Sequence, residues 1–422
     1  MITEKLLQFI WRFRYYNQSD LVLESGASIQ IFFPGQLNPN QGPDFLNAKI
    51  KIDTTVWVGH IELHLKRSDW DRHAHSEDRN YQNVILHVVL QNDLTAETVN
   101  IPVLVLQHRI PNLLLEKYEE WMHSINFIAC EKNIRQVNDI IWFAWKQRLV
   151  IERMERRSIL ILEQFQQSQS NWQELFWWLI AANFGLKVNA AAFEAIARTL
   201  PLKLVTRHKN NILQLEALLL GQAGLLESGF EEDYALMLKR EYIFLKNKYH
   251  LRPAYEPVHF LRMRPVNFPT IRLAQLAQLV HRSSHLFSWV KEAASVKEVM
   301  DSLEVTANDY WHYHYRLDEP AAFRIKTLGK QMIENIIINT IVPVLFTYGV
   351  LHHDQIIKSK ALRWLEETLS EKNSILQKWT NIGIESKTAT DSQALLELKS
   401  MYCDRKRCLE CAVGNSLLKG FS

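Results

Sequence analysis

The sequence has little that would mark it as anything but a folded, water-facing chain. Its 49 Lys and Arg nearly balance 46 Asp and Glu, for a formal charge of +3. No excess of one sign therefore identifies a nucleic-acid or membrane-surface binder, and any such footprint must be local. Long apolar runs are scarce. The longest, IIINTIVPVLFTYGVL from Ile336, is broken by Asn339 and Pro343 and falls short of the ~20 residues that span a bilayer, so it reads as a buried, kinked helix. The opening MITEKLLQFIWRFRYY is interrupted by Glu4, Lys5, Arg12 and Arg14. It lacks the apolar core and cleavage site of a secretory signal, and the expectation is a cytoplasmic protein that does not enter a membrane. No Gly/Ser linker appears, and no GxSxG, Walker A, Rossmann or HExxH pattern, which removes several common enzyme classes. Cysteines number four.

With 47% hydrophobic and 23% charged residues, the chain has the balance of a globular protein, and 422 residues suggest more than one core. Residues 3–15 carry apolar side chains at helical spacing. The period then shifts towards two in LVLE, SIQIFF, NAKIKI, VWVGHIELHLK, VILHVVLQ and NIPVLVL, which predicts strands up to about residue 106. Beyond 111 the pattern is helical, with Asn138-Asp139 as a cap for a long helix. The expected fold class is α+β, divided into a mixed domain over 1–110, a helical region over 111–400 and a Cys-rich segment over 401–422.

GPDFLNAKIKIDTTVWVGHIELHLK, residues 42–66, carries the chemistry. Alternation puts Trp57, Ile61, Leu63 and Leu65 on one face of a strand and His60, Glu62, His64 and Lys66 on the other. A hairpin through Asp53-Thr54-Thr55 would bring Asp44 to Glu62 across the pair. Two close carboxylates suit magnesium or manganese, with His64 or Lys66 placed to orient or deprotonate a water. The following SDWDRHAHSEDRNYQNVILHVV gathers His73, His75, Asp78, Tyr81 and His87. There His73 and His75 are candidates for further ligands or a proton relay, and the plain alternative is an exposed loop.

Pro43-Asp44 followed by Glu62-x-His64, after a helix and strands, resembles the PD-(D/E)xK nuclease superfamily. The resemblance implies a restriction-endonuclease-like core over 1–110, with Asp44 and Glu62 as the motif acids and Glu4 as the acid that some members supply from the first helix. The motif lysine is replaced by His64, with Lys66 two residues on. GPDF, WxGxIExH and RxRPxNFPxxR also make the whole chain resemble an uncharacterised bacterial family, domain of unknown function 2851, which implies no activity.

MYCDRKRCLECAVG spaces Cys403, Cys408 and Cys411 as C-x4-C-x2-C, and Cys130 is the remaining cysteine able to complete a four-thiolate site for zinc or an iron-sulfur cluster. Arg262, Arg264 and Arg272 in HFLRMRPVNFPTIRLAQL are candidate phosphate ligands; the alternative is that they anchor a Pro-rich turn. The functional expectation is metal-dependent phosphodiester hydrolysis in DNA or RNA. Its rivals are a non-catalytic nucleic-acid- or protein-binding scaffold, and a different hydrolase using His73 and His75 with a transition metal.

Overall fold

The computed structural model describes residues 2–73, 75–94, 101–261, 263–283 and 285–421. The expected N-terminal helix, α1, runs Glu4–Phe13. The Thr3 hydroxyl accepts from the Leu6 N–H at its start, Arg14 ends it in the left-handed conformation, and Leu6, Leu7, Ile10 and Trp11 form its buried stripe.

Six strands follow: β1 Ile29–Phe33, β2 Gln36–Leu37, β3 Phe45–Ile52, β4 Thr55–Lys66, β5 Val84–Gln91 and β6 Val103–Val105. They form one mixed sheet in the order β1-β3-β4-β5-β6, with β2 on β3. The β1/β3 and β3/β4 pairs are antiparallel, whereas β4/β5 and β5/β6 are parallel. The expected hairpin closes through Asp53 and Thr54, with Ile52 opposite Thr55 and Asp53 at φ +48°. A parallel partner requires a crossover. Between β4 and β5 this is the short helix α2, Asp69–Arg72, and two 3-10 turns, His75–Glu77 and Arg79–Tyr81. Strand β5 is buried along Val84–Leu90 on both faces, as a central strand with parallel neighbours should be.

The chain divides into two compact units, Met1–Trp145 with Glu397–Ser422, and Lys146–Leu396. In the first, α3, Asn112–His123, follows the sheet, and the returning segment ends in the helix Ala412–Lys419. The unit boundary lies past the change of pattern at 111. It falls inside α4, Asp139–Gln167, whose start is capped by Asn138 accepting from Ile140 at 2.9 Å.

The second unit is helical apart from a small hairpin of His314–Arg316 with Glu319–Pro320. Trp177, Phe176, Phe184, Phe193, Trp311 and Phe346 are among its fully buried side chains. Among the described residues one helix, Lys330–Leu351, is long and apolar enough to cross a membrane, and most of it is buried within this unit. Pro343 lacks the N–H that an α-turn would use. The helix accommodates it with a π-turn over Ile337–Ile341 immediately before Val342-Pro343.

Candidate metal centre

The register of β3 against β4 decides which side chains meet. Ala48 pairs with Gly59, but Phe45 pairs with Ile61, so Leu46 and Asn47 together oppose His60 in a bulge, with Asn47 at φ +56°. Unbroken pairing would have set Asp44 opposite Leu63, on the core face. The extra residue moves it opposite Glu62 instead. The Asp44 backbone N–H donates to Glu62 Oε2 at 2.9 Å, and the Asp44 carboxylate accepts from the Leu63 N–H at 3.2 Å and from Gln8 Nε2 at 2.8 Å.

Gln8 and Glu4 lie one turn apart on α1. The Glu4 charge acts on both acids, and burial, chiefly, pushes the Asp44 and Glu62 carboxyls well above their ordinary range, each with some repulsion from neighbouring carboxylates. The expected apposition of Asp44 and Glu62 is therefore present, and the Glu4 charge acts on both.

The alternation read along β4 holds only over its second half. Ile61 and Leu63 are buried in the core, and Glu62 and His64 are also buried at 5% and 2% exposure, whereas Trp57 is half exposed. Lys66 ends the strand with an exposed side chain whose charge acts on Asp93, and its N–H is capped by Asp69 at 3.1 Å.

The crossover folds back over β4. His64 Nε2 lies 3.2 Å from His73 Nδ1 and 3.3 Å from His75 Nε2. Glu62 Oε1 stands 3.6 Å from His64 Nε2 and 3.5 Å from His75 Nε2. The three imidazole nitrogens lie within 4.8 Å of one another. A tetrahedral ion bonded at 2.0–2.1 Å to nitrogen and oxygen needs donors about 3.3 Å apart, a spacing that His64 meets with His73 and with His75, and that Glu62 approaches with His64 and His75. Imidazole suits zinc and its first-row neighbours and is a poor partner for magnesium.

Outer contacts fix the donors. The other nitrogen of His64, Nδ1, is 2.9 Å from His87 Nε2, and both rings are buried. Burial, followed by the neighbouring His87, His75, His73 and Arg72, pushes His64 down to about 2, so the ring stays in the neutral form that binds metals. His87 is pushed down to about 3, by burial first and Arg67 second. Trp70 packs edge-on to His75 and tilted against His87, with centroids 5.3 and 5.1 Å away, and its indole N–H donates to Ser76 at 3.0 Å. Tyr81 stacks on His75 at 3.9 Å, and burial, then Glu62 and Asp44, pushes its phenol up to about 12. Gln8, Arg67 and Trp70 carried no assignment in the sequence, and His87 was read there only as part of a group. The Trp and His residues crowded into SDWDRHAH were the available signal.

The remaining candidate residues lie elsewhere. Arg262 is outside the described residues. Arg264 is exposed, and Arg272 is buried, donating to Gln275 at 2.9 Å and Asn267 at 2.6 Å; both belong to the second unit. That is the anchoring role for Arg272, at the turn preceding the helix Pro269–Arg282.

The family described as Protein of unknown function (DUF2851) matches residues 4–374. No curated protein and no solved structure matches the chain.

Proposed function

The chain belongs to the family of unknown function DUF2851, and from that premise we propose that it is a metal-dependent hydrolase of phosphodiesters in nucleic acid. The observation that carries this reading is the convergence of His73 and His75 nitrogens on His64 Nε2 at 3.2 and 3.3 Å, with a Glu62 oxygen 3.6 Å from His64 and 3.5 Å from His75. The donor set fits zinc and other first-row transition metals better than the magnesium that an acid pair alone would suggest. When bound, such an ion supplies Lewis-acid stabilisation of a phosphoryl group and an acidified water.

The chain's own groups do the rest. His87 holds His64 in one tautomer, and Asp44 holds Glu62 through its N–H. Asp44, a carboxyl raised towards neutrality beside the donors, is placed to exchange a proton. Tyr81 keeps its proton and can donate to a phosphoryl oxygen. Phosphodiester substrates are favoured by the order of elements. Glu4 lies on the first helix, Asp44 just before β3 and Glu62 on β4, with a crossover and a parallel strand following, the order that the PD-(D/E)xK resemblance implies.

A second reading, a nucleic-acid-binding scaffold without catalysis, is favoured by the exposure of Lys66, which leaves the motif lysine without a counterpart beside Glu62. The test is cleavage of labelled single- and double-stranded DNA and RNA with manganese or magnesium, compared with an Asp44→Ala/Glu62→Ala variant of equal fold stability. Cleavage lost in the variant supports hydrolysis. Intact substrates with manganese bound support the scaffold.

A further inference from the structure

Cysteine is rare in this chain, and a rare, mildly apolar residue used only for packing would be scattered through both units. Instead all four cysteines lie in the first unit, from two segments far apart in sequence. Cys130 precedes the 3-10 turn Glu131–Gln136, Cys403 ends a π-turn over Leu398–Cys403, Cys408 opens the 3-10 turn Cys408–Glu410, and Cys411 precedes the helix Ala412–Lys419. Cys130, Cys408 and Cys411 are buried, and none of the four forms a disulfide.

The backbone is shaped around them. Lys406, in the left-handed conformation, turns the chain between Cys403 and Cys408, and its ammonium donates to the carbonyls of Trp121 at 3.1 Å and Ser124 at 2.5 Å. That fastens the turn to the end of α3, six residues before Cys130. A Cβ at Gly414 would come within 2.3 Å of the Cys408 carbonyl oxygen, so only glycine lets the last helix lie against the turn. Tyr15 donates to Asn415 at 2.7 Å, holding the same helix to the segment after α1.

We propose that Cys130, Cys403, Cys408 and Cys411 form a thiolate metal centre that closes the first unit where the chain returns to it. Packing brings their segments together: the 3-10 turn that follows Cys130 packs against the last helix, which follows Cys411, and that helix and the π-turn ending at Cys403 both pack against the turn that Cys408 opens. Lys399 and Lys406 lie in the same stretch of chain as Cys403 and Cys408. They set positive charge beside a centre that would be anionic with four thiolates. Zinc and iron-sulfur clusters are the two ions or clusters that four thiolates select.

Spacing distinguishes them. A single zinc bonded at 2.3 Å needs sulfurs about 3.8 Å apart. Among the described residues, the group of three or more ligand atoms mutually within 4.8 Å is His64, His73 and His75, and not the cysteines. The sulfurs do not meet the spacing of a single zinc, which leaves a cluster as the expected occupant. Three of the four cysteines also lie beyond residue 374, where the family match ends. The centre joins them to Cys130 across the whole second unit, and a link closing so long a loop acts mainly on the unfolded chain.

The test uses the full chain carrying His73→Ala and His75→Ala, purified without air, so that metal at the histidines does not contribute. Iron, acid-labile sulfide and zinc are measured per chain, together with the visible absorption. Iron with sulfide and a broad charge-transfer absorption is the expected result. One equivalent of zinc also supports a thiolate centre, with the single ion in place of the cluster. Either signal must disappear in Cys130→Ser and in Cys408→Ser. Neither metal above trace in the folded parent overturns the proposal without reference to any cysteine variant, and so does metal that persists when both Cys130 and Cys408 are replaced.

Discussion

Replacing His87 by alanine tests the histidine centre without touching a ligand. Its Nε2 sits 2.9 Å from His64 Nδ1, and the two rings are exposed by only 3% and 2%, so the bond lies away from bulk water. A buried donor left unpaired costs about 1–3 kcal/mol. Loss of such an outer partner typically weakens metal binding by about 10–100-fold, roughly 1.4–2.7 kcal/mol. The two ranges agree, and the expected result for His87→Ala is manganese affinity lower by that factor. His87→Gln, which restores a polar atom near the lost nitrogen, should recover part of it. The assay is electron paramagnetic resonance of free manganese during titration, because manganese avoids thiolates and leaves the cysteines silent. A thermal melt of each variant separates this effect from lost packing against Trp70. Unchanged affinity in a folded His87→Ala protein would show that His64 does not hold the ion.

Other outcomes follow from burial and register. Lys66 is exposed and touches no donor of the centre, so Lys66→Met should leave manganese affinity and cleavage within about twofold; a larger loss in either would return Lys66 to the site. Gly59→Ala would set a Cβ 2.4 Å from Ile85 Cγ2 and 2.7 Å from the Asn83 carbonyl oxygen, where β4 meets β5. It should cost about 1–3 kcal/mol in denaturant unfolding, and an unchanged midpoint would contradict that packing. In the second unit Glu216 is fully buried, and burial pushes its carboxyl from 4.5 to about 7 against bonds from Trp311 and Tyr234. A carboxyl raised in the folded state keeps its proton there. Its stability contribution is present at low pH and is lost as pH climbs from about 4.5 to about 7, by roughly 3 kcal/mol at 1.36 kcal/mol per pH unit. Glu216→Gln should therefore be near neutral at pH 5 and stabilising at pH 8 by up to that amount; parallel pH profiles of wild type and variant would rule the carboxyl out as the source.

The order of helix, strands and crossover was largely legible because period-two and helical patterns alternate before residue 110, although LVLE at 21–24 makes only the isolated bridge of Val22 to Ser28, and the short strand Gln36–Leu37 left no pattern. The hairpin at Asp53, which brings the Asp44 and Glu62 segments side by side, was legible, but the register that sets those two opposite each other was not. The bulge at Leu46-Asn47 adds one residue to one strand and leaves no periodic mark. The histidines could be grouped but not aimed, since the crossover from Ser68 to Asn83 is irregular and its path depends on Trp70 packing against His75 and His87. Lys66 followed the alternation of β4 in sequence, yet the strand ends there and Asp69 caps it. Closure of the first unit by residues 397–422 is a long-range contact, and only the cysteine spacing pointed to it.

The central claim is that His64, His73 and His75 hold one ion with Glu62. Manganese bound per chain, measured by equilibrium dialysis of the wild type and of His73→Ala/His75→Ala, tests it most directly, because neither of those side chains is fully buried and the fold should survive their loss. One ion per chain in the wild type and none in the variant is the expected result. Equal binding by both proteins would contradict it.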